Sequence, residues 1–223
     1  MSIANSIQQL RSSLPEGVNL LAISKYQPLE ALQEAYDAGQ RMFGENHIQE
    51  MATKAAALPK DIEWHFTGHV QTNKIKYMAS FVSLIHAVDS FRLLCEIDKH
   101  AAKHNRTIDC LLQIHIAQED TKYGFTIDEC RQMLATEPWR ELSHVRIIGL
   151  MAMGSNTDDM DQVRGEFRQM KQLFDELKET YFADDPSFCH LSEGMTDDYP
   201  IAIEEGSTLV RIGSMIFGDR VSP

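Results

Sequence analysis

Short apolar segments alternate with longer amphipathic segments along the whole of this chain. Most of the short segments contain runs of apolar residues with few polar interruptions, which is typical of strands that are buried on both faces. Eight such segments are predicted to be strands. They cover residues 20–25, 41–46, 63–68, 82–89, 109–116, 146–153, 188–193 and 208–218.

The segments between these predicted strands have apolar residues at the spacing of an amphipathic helix. One of them carries clear boundary signals, because Pro28 suits the first turn of a helix and Gly39 suits its C-terminal end. One helix is predicted before the first strand, and one is predicted after each of the first seven. They lie near residues 2–14, 28–39, 47–58, 72–81, 91–105, 126–137, 158–182 and 197–206.

Strands that alternate with helices predict a parallel sheet with helices packed outside it. Eight β/α units in 223 residues fit a compact (β/α)8 TIM barrel, so a single barrel domain over residues 1–223 is predicted. A doubly wound open sheet is the alternative. That fold usually has fewer strands at this length and often has a glycine-rich first turn, whereas the sequence LAISKYQP contains no glycine.

The composition is that of an ordinary globular protein, with a formal net charge of −12 and a pI near 5.1. No basic patch is evident, so nucleic acid is not an expected partner. No segment approaches the roughly 20 apolar residues that a membrane span requires. The N-terminus does not resemble a signal peptide, and the four cysteines form no CxxC pair. We therefore expect a cytoplasmic monomer with free, buried thiols.

The first predicted strand ends on an ammonium group, that of Lys25. Such a group is costly to desolvate unless the protein uses it. In a barrel of this type the active site lies at the C-terminal ends of the strands, which is where Lys25 is placed. A partly desolvated lysine can be a free amine near neutral pH and can form a Schiff base with a carbonyl compound. The alternative is a lysine whose ammonium group simply extends into solvent.

The loops after the seventh and eighth strands have features of a phosphate site, which barrels often place there. Ser192 and Ser214 provide hydroxyl groups, while Gly194 and Gly213 allow backbone N–H groups to approach an anion closely. Taken singly, each of these would be an ordinary loop residue. Together with an amine that can bind an aldehyde, a phosphate site predicts pyridoxal 5′-phosphate as the cofactor.

Arg211 lies between Val210 and Ile212 in the eighth apolar segment, where an unpaired charge would be costly. A pyridoxal phosphate site needs a partner for the pyridine nitrogen, and arginine is one of the residues that can serve. Because arginine does not give up its proton, the pyridine nitrogen would stay neutral and the ring would be a weak electron sink. A structural arginine–carboxylate pair is the alternative.

Polar residues also end the second and third predicted strands. Asn46 is expected to cap the next helix, to contact the ring oxygen of the cofactor, or both. His65 is expected to be a hydrogen-bonded histidine of the barrel interior. His65 and His69 have HxxxH spacing, but Gly68 interrupts the pattern and no third ligand follows, so no metal site is predicted. Lys122 is expected to be an exposed loop lysine.

Six motifs give the chain a resemblance to a known family: AISKY, FGENHIQE, WHFTGHVQTNK, GLMAMG, HLSEGMTDDYPIAI and TLVRIGSMIFG. Their order and sequence resemble the pyridoxal phosphate homeostasis protein family over nearly the whole chain. The FGEN-x-x-QE and WHF-x-G-x-x-Q-x-NK motifs are the most specific. The resemblance implies a barrel like the N-terminal domain of alanine racemase.

The resemblance also implies how the cofactor would be held. Pyridoxal phosphate would form an internal aldimine with Lys25. Its phosphate would be bound by Ser192 and by the turn at Gly213 and Ser214, and Arg211 would lie at the pyridine nitrogen. The other residues expected around the cofactor are Asn46, His65 and Met195.

Two positions depart from the usual family pattern LSMGMS after the seventh strand, namely Glu193 and Thr196. A carboxylate at position 193 would lie near an anionic phosphate, so it is expected to loosen the grip on the cofactor unless it turns outward. The residues of the third-strand motif at His69 and Val70 also differ from the proline and leucine that the family often has. Lys74 and Lys122 are left open as second cofactor contacts.

The resemblance implies a carrier or buffer for this form of vitamin B6, with effects on amino acid and keto acid balance and no established turnover. The partners that it implies are pyridoxal phosphate itself and the pyridoxal phosphate-dependent apo-enzymes that would receive it. A pyridoxal phosphate-dependent racemase or lyase is the alternative, and a Schiff-base aldolase for a sugar phosphate is a third hypothesis. The sequence ends at Pro223, without the second domain of alanine racemases, and Tyr26 and Tyr199 have no recognisable partner in the sequence. We therefore expect no racemase activity.

Overall fold

Eight parallel strands close into a barrel in the computed structural model, which describes residues 2–117 and 123–218. Each strand pairs with the next, and β8 pairs back onto β1. The strands are β1 Asn19–Ile23, β2 Met42–Glu45, β3 Glu63–Phe66, β4 Leu84–Val88, β5 Ile108–Ile114, β6 Val145–Ala152, β7 His190–Ser192 and β8 Leu209–Ile212. The predicted (β/α)8 barrel is therefore confirmed, and the open-sheet alternative is wrong.

Helices precede the barrel and connect its strands. The α-helices are α1 Ile3–Ser13, α2 Leu29–Asp37, α3 Ile48–Ala57, α4 Phe91–Ala102, α5 Ile127–Thr136, α6 Met160–Tyr181, α7 Tyr199–Glu204 and α8 Ser214–Phe217. Two 3-10 helices cover Thr72–Tyr77 and Trp139–Glu141. The predicted helix positions agree with this order, although Pro28 is the N-cap of α2 and not its first helical residue.

Two predicted elements differ from the structure. The predicted helix at 72–81 is a 3-10 helix that ends at Tyr77, and the next turn folds back so that the N–H groups of Met78 and Ala79 share the Ile75 carbonyl. This turn buries both apolar side chains without a further helical turn. The predicted strand at 208–218 ends at Ile212, and the chain then forms the short helix α8.

The barrel contains several buried polar side chains, although most of the strand residues form the apolar core. In strand β4, for example, the apolar residues Ile85 and Ala87 flank a fully buried histidine, His86. Other buried polar side chains come from β3, β5, β7 and β8. They are His65, Gln113, Ser192 and Arg211. Buried polar groups need hydrogen-bond partners, so we expect each of these side chains to be hydrogen-bonded inside the barrel.

Gly68 allows the ends of β2 and β3 to approach closely. A Cβ atom at this position would lie 2.3 Å from the carbonyl oxygen of Asn46, far inside van der Waals contact. The backbone at Asn46 therefore packs directly against the loop that follows β3. This contact sets the position of the chain at the C-terminal edge of the barrel.

All four cysteines are free thiols, as predicted. Cys110 and Cys130 are buried and Cys95 is half-buried, but Cys189 is exposed, so the prediction of burial is wrong for Cys189. Within residues 2–117 and 123–218, no helix has the length and apolar character needed to span a membrane.

Candidate functional site

A cavity of about 240 Å³ opens at the C-terminal edge of the barrel, beside the ends of β1 and β8 and the loop that follows β7. Five of the eight predicted site residues line it. They are Lys25, Met195, Arg211, Gly213 and Ser214. The structure thus brings together an amine, a guanidinium group and a hydroxyl group from segments that are far apart in sequence. The other three predicted residues, Asn46, His65 and Ser192, do not line this cavity.

Lys25 lies in a turn two residues beyond β1, and its side chain is half-buried. The prediction that Lys25 ends the first strand is therefore wrong by two residues. Strand β1 ends earlier, at Ile23, where its pairing with β2 stops. The next residue, Tyr26, has a positive φ of 65°, a conformation that few residues with a side chain adopt. This turn directs the chain from the barrel into α2.

A buried ion pair lies beneath this turn. The Nζ of Lys54, in α3, is 2.8 Å from Oε1 of Glu45, at the end of β2. Burial raises the pKa of Glu45, while the Lys54 ammonium group opposes that change. Lys54 is not among the residues predicted from the sequence. The only available signal was its place within the apolar stripe of α3, where Ile48 and Met51 are also buried.

The side chain of Arg211 lies inside the barrel, with 5% of the residue exposed. Its Nη1 donates hydrogen bonds to the carbonyl and the hydroxyl group of Ser192, and its Nη2 donates to the carbonyl of Ala152. These bonds use three of the five guanidinium N–H donors. Burial lowers the pKa of Arg211 to about 10, so the group stays charged near neutral pH. Its hydrogen-bond partners are carbonyl and hydroxyl oxygens and not the carboxylate of the alternative hypothesis.

A chain of hydrogen bonds continues from Arg211 across the barrel. The hydroxyl of Ser192 lies 3.0 Å from Nδ1 of His86, and Nε2 of His86 lies 3.0 Å from Nδ1 of His65. Burial lowers the pKa of His65 to about 3 and that of His86 well below its usual value, so both rings are neutral. Arg211 donates to the Ser192 hydroxyl, which keeps its own O–H as a donor. The tautomers of the two neutral rings set the donor and the acceptor in the contacts of His86 with Ser192 and with His65.

This chain defines the surroundings of two predicted site residues. His65 is a hydrogen-bonded histidine of the barrel interior, as expected, and its contact with a cofactor stays a prediction. Ser192 is fully buried, and its hydroxyl is already shared between Arg211 and His86. Its contact with a phosphate therefore also stays a prediction. His86 is not among the residues predicted from the sequence, although a histidine within the apolar segment VSLIHAVD was a visible signal.

The loops after β7 and β8 meet, as the sequence analysis expected. The hydroxyl of Ser214 donates to the hydroxyl of Thr196 at 3.1 Å. Gly194 has a φ of 87°, and a Cβ there would lie 2.8 Å from the Cα of Tyr199, so the turn requires glycine. Ser214 is exposed in the first turn of α8. The N–H groups of Ile216 and Phe217 donate to the carbonyl of Gly213, whereas the first two N–H groups of a helix, here those of Ser214 and Met215, have no acceptor within it.

Asn46 does not cap α3, which was one of its two expected roles. The N-cap residue is His47, and no side-chain cap is formed. The Oδ1 atom of Asn46 instead accepts a hydrogen bond of 2.7 Å from the hydroxyl of Thr67. Its contact with a cofactor stays a prediction.

Glu193 is fully buried, and it does not line the cavity. Neither of its carboxyl oxygens has a hydrogen-bond partner among the residues that the structure describes. Burial raises the pKa of Glu193 well above its usual value, with Arg211 opposing the change only in part. Burial therefore favours the neutral form of this carboxyl group over its charged form. Its expected loosening of the grip on the cofactor stays a prediction.

The two histidines of the HxxxH pattern face different surroundings. His65 contacts His86 inside the barrel, whereas His69 stacks on Tyr123 with ring centroids 3.9 Å apart. In the described part of the chain, no group of three or more His, Cys, Asp or Glu side chains is arranged to hold a metal ion. Lys74 is exposed, and Lys122 lies outside the described residues.

Comparisons with known proteins identify several similar chains. The family model of the alanine racemase N-terminal domain matches residues 1–221. The pyridoxal phosphate homeostasis protein of Aquifex aeolicus is 41% identical over 202 residues, covering 90% of this chain and 86% of that protein. The protein of the same name from Pasteurella multocida is 37% identical over 98% of this chain and 93% of its own.

One of the similar solved structures contains bound pyridoxal phosphate. PipY of Synechococcus elongatus, determined with pyridoxal phosphate bound, has 35% sequence identity with this chain and superposes with a TM-score of 0.87. The match covers 97% of this chain and 100% of PipY. It therefore extends over the strand ends and loops that form the cavity.

Proposed function

The chain belongs to the alanine racemase N-terminal domain family and, within it, to the pyridoxal phosphate homeostasis proteins, and we propose that it binds pyridoxal 5′-phosphate and carries or buffers it in the cytoplasm. The observation that carries this proposal is the cavity shared by Lys25, Arg211 and Ser214. The pyridoxal phosphate bound by PipY supports the same cofactor.

The groups around the cavity fit the chemistry of this cofactor. When bound, pyridoxal phosphate supplies an aldehyde that bonds covalently to an amine and an aromatic ring that can accept electrons. Lys25 provides the amine. Gly213 and Ser214 provide backbone N–H groups and a hydroxyl at the start of α8, which suit a phosphate. An aldehyde reacts with an amine, and a phosphate accepts hydrogen bonds from N–H and O–H groups. These residues therefore provide the groups that each part of the cofactor requires.

Arg211 suits the pyridine nitrogen because its guanidinium group is fixed in place. Three hydrogen bonds to Ser192 and Ala152 hold it inside the barrel, and two N–H donors remain for other partners. A guanidinium group donates to the ring nitrogen without protonating it, because even the lowered pKa near 10 keeps its proton on Arg211. This arrangement suits the storage of a cofactor better than the stabilisation of a carbanion.

A racemase or lyase is the second candidate function, and one contact in the structure favours it. The hydroxyl of Tyr26 lies 2.9 Å from Nε2 of His47, so this phenol has a partner that the sequence analysis did not identify. Racemisation needs an acid or base on each face of the substrate. Tyr26 is exposed and does not line the cavity with Lys25, so we retain the carrier as the function.

Incubation of the cofactor-loaded protein with L-alanine in deuterated water separates the two functions. A carrier incorporates deuterium at the α-carbon no faster than free pyridoxal phosphate does, and it transfers its cofactor to an added apo-enzyme whose activity then returns. Rapid deuterium incorporation with formation of D-alanine, abolished in Lys25→Ala, would instead establish the racemase. Retention of the cofactor in the presence of excess apo-enzyme would contradict the carrier proposal.

A further inference from the structure

Lys54 has an ammonium group that is almost completely buried, with only 4% of the residue exposed. Lysine is rarely buried to this extent unless it is paired. Its Nζ donates to the carbonyl of Ser24 at 2.7 Å, to Oε1 of Glu45 at 2.8 Å and to Oε1 of Glu50 at 2.6 Å. An ammonium group has three N–H donors, so these contacts use all of them.

The partners of Lys54 also hold the turn around Lys25. Oε1 of Glu45 accepts a hydrogen bond of 2.7 Å from the hydroxyl of Ser24. Oε1 of Glu50 accepts one of 2.6 Å from the backbone N–H of Tyr26. The residue before Lys25 and the residue after it are therefore bound to one network, which is centred on the Lys54 ammonium group.

The backbone of this turn needs such support. Tyr26 adopts a φ of 65°, which is unfavourable for a residue with a side chain and persists only where the surroundings hold it. Glu50 holds its N–H, and His47 lies 2.9 Å from its hydroxyl. The direction in which Lys25 leaves the backbone depends on this conformation. A relaxed turn would point the Lys25 amine away from the cavity.

Stability alone does not explain a buried ion network at this position. Taking charged groups out of water is costly, and apolar side chains of similar volume often stabilise a fold equally well. What charged groups add is direction, because each hydrogen bond fixes a particular oxygen or nitrogen. Here the fixed atoms belong to the residues on either side of Lys25, beside the cavity.

We propose that Lys54, acting through Glu45 and Glu50, is a positioning residue that fixes the turn at Ser24 and Tyr26 so that the Lys25 amine faces the pyridoxal phosphate cavity. This inference rests on the proposed function, because it concerns the lysine that would bond to the cofactor.

The test compares Lys54→Met with Lys99→Met, a control in which the lysine is exposed and its Nζ lies 3.6 Å from Oε1 of Glu96. Two ligands are used. Pyridoxal phosphate reports the rate of covalent capture by Lys25 through its absorbance, and pyridoxine 5′-phosphate, an alcohol that cannot bond to the amine, reports the affinity of the pocket. Lys54→Met should slow capture by about tenfold to a hundredfold, the effect expected for lost bonds to a charged group. Its affinity for pyridoxine phosphate should match that of the control.

The outcomes separate this inference from the proposed function. Capture by Lys54→Met at the wild-type rate would overturn the positioning role and leave the proposed function intact. An equal loss of capture and of pyridoxine phosphate affinity would also overturn it, because Lys54 would then support the pocket as a whole. Failure of the wild-type protein to capture the cofactor at Lys25 would contradict the proposed function itself.

A second pair of variants covers the case in which Lys54→Met does not fold. The Glu50 side chain is 22% exposed, so its truncation leaves no large cavity in the core. Glu50→Gln keeps an oxygen that can accept from Tyr26 and from Lys54, whereas Glu50→Ala removes it. The positioning role predicts slow capture in Glu50→Ala and recovery of most of the wild-type rate in Glu50→Gln. The same rate in both variants would contradict it.

Discussion

The guanidinium group of Arg211 donates two hydrogen bonds to a single residue, Ser192. Its Nη1 lies 2.7 Å from the carbonyl oxygen and 2.8 Å from the hydroxyl oxygen. Both residues are buried inside the barrel, where the contact joins β8 to β7. The Ser192 hydroxyl also lies 3.0 Å from Nδ1 of His86, so the chain of hydrogen bonds continues to that ring. The arginine at the cavity is therefore held by the barrel interior and not by the surface loops.

Substitution of Ser192 by alanine should lower the free energy of unfolding by about 1–3 kcal/mol, because it leaves buried groups of Arg211 and His86 without a partner. Ser214→Ala is the matched control. Its hydroxyl is exposed, so its stability should stay within about 0.5 kcal/mol of the wild type. Urea unfolding measures both values. A Ser192→Ala protein as stable as the wild type would show that this hydrogen-bond chain contributes nothing to the fold.

The stability of the protein should contain a contribution from Glu193 that falls as the pH rises. Burial raises the pKa of this carboxyl well above its ordinary value of 4.5. Below pH 4.5 it is protonated in both the folded and the unfolded chain, and nothing is lost. Above that pH the unfolded chain ionises while the folded chain stays neutral, which favours unfolding by up to about 1.4 kcal/mol per pH unit until the folded pKa is reached.

Glu193→Gln tests this contribution, because an amide does not titrate. Unfolding of both proteins in urea at pH 5 and at pH 8 gives the difference in stability at each pH, and contributions from other titrating groups cancel in that difference. The variant should gain stability relative to the wild type as the pH rises. A difference that is the same at pH 5 and pH 8 would mean that Glu193 is ionised in the folded protein.

Gly68→Ala should destabilise the protein by about 1–3 kcal/mol, because the added Cβ would lie 2.3 Å from the Asn46 carbonyl and the backbone would have to move. Gly165→Ala is the control, since a Cβ at that position in α6 meets no atom within 4 Å. Alanine there should stabilise the helix by about 0.5–1 kcal/mol. Thermal unfolding compares the two variants. Equal stability in both would contradict the close approach of β2 and β3.

The barrel could be predicted because its signal is local. Each apolar segment such as 82–89 or 109–116 indicates a strand by itself, and the alternation with helices then indicates a parallel sheet. The short helix α8 could not be distinguished from strand β8, because apolar residues continue from Leu209 to Phe217 on both sides of Gly213. The direction change at Gly213 depends on packing, since a Cβ there would lie 3.1 Å from the carbonyl of Ile23 in the first strand.

The residues of the cavity could be predicted in part for the same reason. Lys25 and Ser214 follow strand ends, and a barrel brings all strand ends to one edge. The contacts that hold them were not predictable, because they join segments that are distant in sequence. His86 and Ser192 are 106 residues apart, and Lys54 and Ser24 are 30 apart. Only the folded barrel shows that a buried lysine of α3 lies beneath the turn of Lys25.

Lys25 is the residue that we propose bonds to pyridoxal phosphate. Borohydride reduction of the cofactor-loaded protein makes that bond permanent, and mass spectrometry of the digested protein then identifies the modified peptide. We expect one cofactor per chain, attached at Lys25, with no adduct in a folded Lys25→Ala protein. A stoichiometric adduct at another lysine, or an adduct of equal yield in Lys25→Ala, would contradict it.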